Sequence, residues 1–140
     1  MTTYLPDVNV LIALIDPSHV HHERAHSWFA SSGRTDWVTV PITENGVLRI
    51  ASHPGYSNTQ PLPVVMTSLR SLCATDGHRF EADSISLLDG AFAELLSSAQ
   101  VTDSYLIGLS RFLRAKLATF DRKIALSGVP DAKETVSFIP

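Results

Sequence analysis

Asp7, Glu44, Asp103 and Asp121 each stand where an apolar segment of this 140-residue chain breaks. Asp7 ends the run Thr-Tyr-Leu-Pro, and Glu44 follows Trp37-Val-Thr-Val40. Asp103 opens a stretch with helical patterning, and Asp121 follows Leu117-Ala-Thr-Phe120. In an open parallel α/β sheet, the ligand crevice lies beyond the carboxyl ends of the strands, where the next helices begin. Carboxylates placed at four such breaks meet on one edge. Without a counter-charge they repel one another and raise their own pKa values. An oxygen-only donor set of this kind suits a hard divalent cation, Mg²⁺ or Mn²⁺.

The elements that must carry these acids alternate along the chain. Apolar and turn patterns predict a strand over 3–6, a helix over 9–15 capped by Asp7 or Asn9, an amphipathic helix over 20–31 and a strand over 36–40. Helices over 42–52 and 62–75 follow, the second starting after two prolines. A short strand is expected over 78–82 and a helix over 86–98. Thr102 is the expected N-cap of a helix through Arg114, followed by a strand over 116–120, a short helix over 122–127 and a strand over 135–139. His53 to Pro63 is rich in turn formers and reads as a loop. Such alternation implies an α/β fold with a small, mainly parallel sheet flanked by helices.

Size and composition agree with one globular domain spanning residues 1–140. Apolar residues make up 44% and charged residues 18%, a balance that can bury a core. The formal net charge of −3 gives no support for broad basic coating of nucleic acid. A lone cysteine, Cys73, allows no internal disulfide and fits a reducing cytosol. The first residues lack the basic region and cleavage site of a secretory signal, and the apolar run from Val8 to Ile15 is too short to span a bilayer. A soluble cytoplasmic protein is the expectation.

Helical spacing separates the acids from ordinary surface charges. Glu44 shares a face with Val47, Leu48 and Ala51, the stripe that should be buried. Asp103 shares a face with Leu106 and Ile107, one residue into a helix whose N-terminus favours negative charge. Taken singly, Asp7, Asp103 and Asp121 also suit plain helix caps or first-turn acids. Together with an inward Glu44 they describe one site.

Asp7-Val-Asn9 after an N-terminal strand, Glu44 followed by Asn-Gly-Val-Leu-Arg, Thr102-Asp103-Ser-Tyr-Leu106 and Ala118-Thr-Phe-Asp121 together resemble the motifs of PIN-domain nucleases. Over essentially the whole chain the similarity is to the VapC toxins of bacterial toxin–antitoxin pairs, in particular those with a His-rich second helix ending in Ala-His-Ser-Trp. This resemblance implies a metal-dependent endoribonuclease that cuts structured RNA, is silenced by a cognate antitoxin protein and commonly forms a homodimer. It maps Asp7, Glu44, Asp103 and Asp121 onto the acidic positions, and Asn9 and Thr119 onto the polar positions that support them. One or two Mg²⁺ ions can supply the chemistry of phosphodiester hydrolysis, so the protein's task is to hold them. Asp7 and Asp103 are the first expected ligands. Glu44 and Asp121 would bind a second ion or orient the attacking water, with Asn9 and Thr119 hydrogen-bonding the ligands. Five of the eleven basic residues fall between Arg111 and Lys123. Of these, Arg122 and Lys123 follow Asp121 at an expected helix start and could reach a neighbouring phosphate.

Two other readings compete. His22-Glu-Arg-Ala-His26 matches the H-E-x-x-H pattern of zinc proteases, with Glu44 available downstream as a third ligand. It leaves Asp7, Asp103 and Asp121 without a role, and four histidines between His19 and His26 make a chance match easier. The plainer expectation is that His22 or His26 packs at a helix or subunit interface. A non-enzymatic phospho-receiver domain also places acids at strand ends, but it wants a paired acid after its first strand, which Asp7-Val-Asn9 does not provide. Trp28 and Trp37 lie outside any aromatic series and are expected to pack in the core or at an interface, not to stack on bases.

Overall fold

The computed structural model describes residues 1–89, 92 and 97–140. Its elements run β1 (Thr3–Pro6), α1 (Val8–Ile15), α2 (His22–Ser31), β2 (Trp37–Thr39), α3 (Pro41–Ala51), α4 (Leu62–Cys73), β3 (His78–Phe80), α5 (Val101–Phe112), β4 (Ala115–Thr119), α6 (Ala132–Thr135) and β5 (Val136–Phe138). The five strands form one sheet in the order β3-β2-β1-β4-β5, every neighbouring pair parallel. β1 is central, and its register with β4 sets Leu5 opposite Leu117 and Pro6 opposite Ala118. After β1 the chain builds outward through β2 and β3, then crosses by α5 to β4 on the other side of β1. The sheet therefore reverses direction between β1 and β4, which is where open α/β sheets make their crevice.

Side chains alternate across the sheet and both faces are covered. Leu5, Val38 and Leu117 pack against Leu106, Ile107 and Leu109 of α5. On the opposite face, Ala118 meets Val10, Ala13 and Leu14 of α1 with Ala25 and Trp28 of α2. There too, the fully buried Trp37 packs with Leu11 and Ile12 of α1 and with Val65 and Leu69 of α4. Trp28 meets Tyr4 edge-on at 5.4 Å, and Phe29 meets Trp37 in the same way at 5.3 Å. Both tryptophans thus serve the core, as expected. Among the described residues, no helix is long and apolar enough to cross a membrane.

The helix boundaries follow local chemistry. Asp7 caps α1 by accepting from the Val8 N–H. Pro41 takes the first position of α3, where its missing N–H costs nothing, and Thr43 closes that turn by exchanging hydrogen bonds with the Val40 backbone at 3.2 and 3.0 Å. The turn-rich loop from His53 to Pro63 is fastened to the end of α1. Asp16, which is buried, accepts from the Tyr56 hydroxyl, the Asn58 amide (2.7 Å) and the Ser18 N–H (2.9 Å). Burial alone would raise the Asp16 pKa, but these hydrogen bonds outweigh it and hold the carboxyl below its ordinary value.

Several expectations differ from the structure. Thr102 is not an N-cap: α5 begins at Val101, continuing a single 3₁₀ turn over Ser98–Gln100 in which the Gln100 side chain accepts from the Ser97 N–H at 3.0 Å. That Ser-x-x-Gln signal lies one turn upstream of the threonine. The same helix stops at Phe112, because Arg114 adopts a left-handed conformation (φ 56°) usually left to glycine. No helix forms over 122–127, where Asp121 Oδ1 accepts from the Lys123 N–H (2.9 Å) and closes a turn instead. A four-residue helix, α6, was unforeseen. The helix expected over 86–98 falls largely outside the described residues, and its described part at 87–89 is a turn and a bend.

Gly77, just before β3, is the glycine that packing requires. A Cβ there would lie 1.9 Å from the Arg34 carbonyl oxygen and 2.8 Å from backbone atoms of Thr35. Gly77→Ala must therefore displace backbone at the sheet edge and should destabilise the protein by about 2 kcal/mol. Thermal unfolding checks this, and an unchanged midpoint would contradict the contact.

Candidate active site

Asp7 is fixed where β1 passes into α1. Its N–H donates to the Ala118 carbonyl at 2.9 Å, which carries the β1–β4 ladder one residue beyond the strand. Its Oδ1 accepts from the Val8 N–H at 2.7 Å and its Oδ2 from the Thr119 hydroxyl at 3.2 Å. Thr119, buried at the end of β4, also accepts from the Asp121 N–H at 3.1 Å. One hydroxyl thereby joins the two acids that flank the reversal in strand order. Asp103 enters from the first turn of α5, half-buried, and its carboxylate makes no side-chain hydrogen bond among the described residues.

The electrostatics link these three acids. Burial pushes the Asp7 pKa up from 3.8 to about 6, and the charges of Asp103 and Asp121 add to the rise, against the hydrogen bonds from Val8 and Thr119. Asp103 is also raised, first by burial and then by the charge of Asp121. The ion pairs among the described residues join Arg79 to Asp36 and Glu81, and Arg111 to Asp131. None neutralises Asp7, Asp103, Asp121 or Glu44. Oxygen-only donors, mutual repulsion and the lack of a basic partner among the described residues suit a divalent cation. Among the described residues, however, no three acid, histidine or cysteine side chains are already closed into a metal cage.

Glu44 lies on the same sheet edge but is engaged elsewhere. From the first turn of α3 its Oε2 accepts from the Thr39 hydroxyl at 2.8 Å, and the Thr39 Oγ1 is also 2.8 Å from His78 Nε2. Val47 and Ala51 beneath it are buried, as the helical spacing implies. Asp83 stands nearby: burial raises its pKa, the Ile42 N–H opposes the rise and the Glu44 charge adds to it. Glu44 also walls an open cleft with Leu48, Met66, Leu69, Arg70 and Cys73. Sequence patterning does not mark Thr39, His78 or Asp83 as neighbours of Glu44; Thr39 meets it across the β2–α3 junction, and His78 is brought to Thr39 by the pairing of β3 with β2.

No family model matches the chain. Full-length relatives do. Ribonuclease VapC44 of Mycobacterium tuberculosis is 38% identical over 131 residues, covering 91% of this chain and 92% of its own length. Ribonuclease VapC38 of the same organism is 38% identical over 121 residues, 84% of each chain, and Ribonuclease VapC39 is 37% identical over 127 residues. The chain belongs to the VapC ribonuclease family. In architecture it is similar to the crystal structure of the Mycobacterium tuberculosis toxin VapC20, described as cleaving the sarcin–ricin loop. The TM-score is 0.60 over 90% of this chain and 95% of that one, at 12% identity, so this likeness speaks for the fold.

Membership of the VapC family leaves the histidine motif without a catalytic task, and the structure supplies another. His22 Nδ1–H donates to the Ala13 carbonyl at 2.7 Å and His26 Nε2–H to the Leu14 carbonyl at 2.8 Å, with the rings 4.4 Å apart. These are carbonyls of the last turn of α1, which lack helical partners. The pair closes that helix against α2, in line with the plainer expectation of an interface role. The receiver alternative fails on topology, since those domains wind in the order 2-1-3-4-5.

Of the other residues that the resemblance maps beside the acids, Thr119 hydrogen-bonds Asp7, while Asn9 is exposed and makes no side-chain hydrogen bond among the described residues. Arg122 and Lys123 are exposed beside Asp121, on a turn and not at a helix start. The Arg122 guanidinium rests 5.3 Å from the centre of the Phe138 ring.

A carboxyl that ionises near 6 in the folded chain and near 3.8 when unfolded makes the folded state bind more protons between those values. Stability then falls as pH rises from about 4 to 6, and the loss, at most about 3 kcal/mol from Asp7, is complete above 6. Asp7→Asn in metal-free protein should therefore raise the neutral-pH melting temperature and flatten its dependence over that window. Calorimetry at several pH values checks both, and a lower melting temperature would contradict the raised Asp7 pKa.

Proposed function

We propose that this chain is a Mg²⁺- or Mn²⁺-dependent endoribonuclease that hydrolyses phosphodiesters of structured RNA as the toxin of a toxin–antitoxin pair. The observation that carries the reading is the pair Asp7 and Asp121, tied through Thr119 at the strand-order reversal, with Asp103 close enough for its charge to raise the Asp7 pKa, in a chain of the VapC family. Asp7 and Asp103 are the first candidates to hold the ion, with Asp121 and Glu44 completing the set or orienting the attacking water. A divalent ion bound there would supply Lewis acidity toward the scissile phosphate and help activate water.

The chain's own contribution is placement. Asp7 is held by two hydrogen bonds and Asp121 by a backbone turn, so neither needs to reorganise much as charge develops. Asp103 keeps both oxygens free of hydrogen bonds from described residues. The N-termini of α1, α3 and α5 carry Asp7, Glu44 and Asp103, and their dipoles partly offset the charge an approaching phosphate meets. The apolar wall of the cleft beside Glu44 suits a segment of an antitoxin. A homodimer acting in the cytosol completes the proposal.

Asp7→Asn and Asp103→Asn should each abolish cleavage of total bacterial RNA while the far-ultraviolet circular dichroism stays unchanged. Chelation should silence the wild type and added Mn²⁺ restore it. Full activity in both variants, or in the chelated enzyme, would overturn the reading.

Arg122 and Lys123 are the basic residues next to the acids in sequence, and phosphate contacts set the salt dependence of RNA affinity. In an Asp7→Asn background, Arg122→Ala with Lys123→Ala should weaken binding to all RNAs alike and flatten the plot of affinity against salt. An unchanged slope in a filter-binding titration would remove them from the interface.

A further inference from the structure

Glu44 poses a problem that the aspartates do not. Asp7 has a short side chain caught by two hydrogen bonds, whereas a glutamate on the first turn of a helix has three side-chain torsions and loses more freedom when ordered. What restrains it is buried behind it. Thr39, the last residue of β2, is fully shielded from solvent, so its hydroxyl must find its partners inside the protein. Partners are on hand, with Glu44 Oε2 and His78 Nε2 each 2.8 Å from Oγ1 and the Cys73 thiol also in hydrogen-bonding reach of the hydroxyl.

The chemistry gives this chain a direction. An ionised carboxylate only accepts, so the single hydroxyl proton of Thr39 goes to Glu44. The threonine oxygen is then left to accept, and His78 Nε2 must carry a hydrogen. His78 donates to Thr39, and Thr39 donates to Glu44. The imidazole is itself anchored. It opens β3 in register with Trp37, and its ring centre lies 4.6 Å from that of the fully buried indole. Two adjacent strands and the start of α3 are thereby joined by one polar line that ends on the carboxylate.

We propose that Thr39 and His78 are positioning residues for the ribonuclease reaction, holding the Glu44 carboxylate in its working orientation through this donor chain. The proposal rests on Glu44 acting in the centre described under Proposed function. Neither residue touches substrate, so their effect falls on the rate at saturation and not on RNA binding. Outer partners of this kind typically contribute about 10- to 100-fold to activity.

The test compares Thr39→Val, which keeps the shape and removes the hydroxyl, with Thr39→Ser, which restores it. His78→Phe keeps a ring on Trp37 without a donor, and His78→Gln restores an N–H. Glu44→Gln serves as reference, and cleavage of total bacterial RNA is followed under single-turnover conditions. The Val and Phe variants should lose about 10-fold in rate at saturating enzyme, with the half-saturating enzyme concentration unchanged. The Ser and Gln variants should recover most of the loss. Nitrogen-15 spectra of the wild type should show His78 Nε2 protonated, a readout independent of catalysis.

Wild-type rates in Thr39→Val and His78→Phe beside an inactive Glu44→Gln would overturn the positioning role, as would an unprotonated Nε2 or no recovery in the Ser and Gln variants. Should Thr39→Val fail to fold, His78→Phe and the nitrogen-15 spectrum decide. A fully active Glu44→Gln would instead remove Glu44 from the centre, and this inference with it.

Discussion

Burial of Asp7 and Asp103 beside one another and beside Asp121, with no basic partner among the described residues, is the constraint around which the rest of the molecule is arranged. Partly buried carboxylates such as Asp7 and Asp103 are costly without a basic partner, and the fold confines that cost to one edge of a parallel sheet. At that edge three helix N-termini and the reversal of strand order coincide, so positive dipole ends meet the point where open α/β sheets bind ligands. The buried Thr119 hydroxyl keeps Asp7 and Asp121 in a fixed relation across the reversal. Apolar layers on both faces of the sheet supply the stability against which the strain is held.

The short helix α1 transmits this arrangement to the rest of the fold. Eight residues make a marginal helix in isolation, so its position depends on burial of Val10 to Leu14 and on what closes its ends. Asp7 closes the first end and also belongs to the acid cluster. His22 and His26 close the other by taking the last carbonyls, and Asp16 beyond it fastens the turn-rich loop through Tyr56 and Asn58. The histidine-rich segment therefore supports the acids from the far end of one helix, which accounts for a zinc-like spacing in a chain of the VapC family.

The acids also divide by length. The aspartates sit directly on element junctions and are placed by the backbone, while Glu44 needs side-chain partners that come from β2 and β3. This explains why the trio shares its charge whereas Glu44 is felt by His78 and Asp83.

By itself the sequence determined the alternation of strands and helices, the two-sided core, and the break positions that carry Asp7, Asp103 and Asp121; it left both tryptophans to the core or an interface. Apolar periodicity and turn chemistry are local, and these features follow from them. It misjudged ends decided by single residues. Arg114 in a left-handed conformation, the Ser97–Gln100 turn and the Asp121 turn each override a propensity by one hydrogen bond or one dihedral angle. Only the tertiary structure decided what depends on pairing between distant segments. Thr119 reaches Asp7 across 112 positions because β4 lies beside β1, and His78 reaches Thr39 across 39 because β3 lies beside β2. Strand order is set by how whole layers bury their apolar faces, and no local pattern in the chain encodes it.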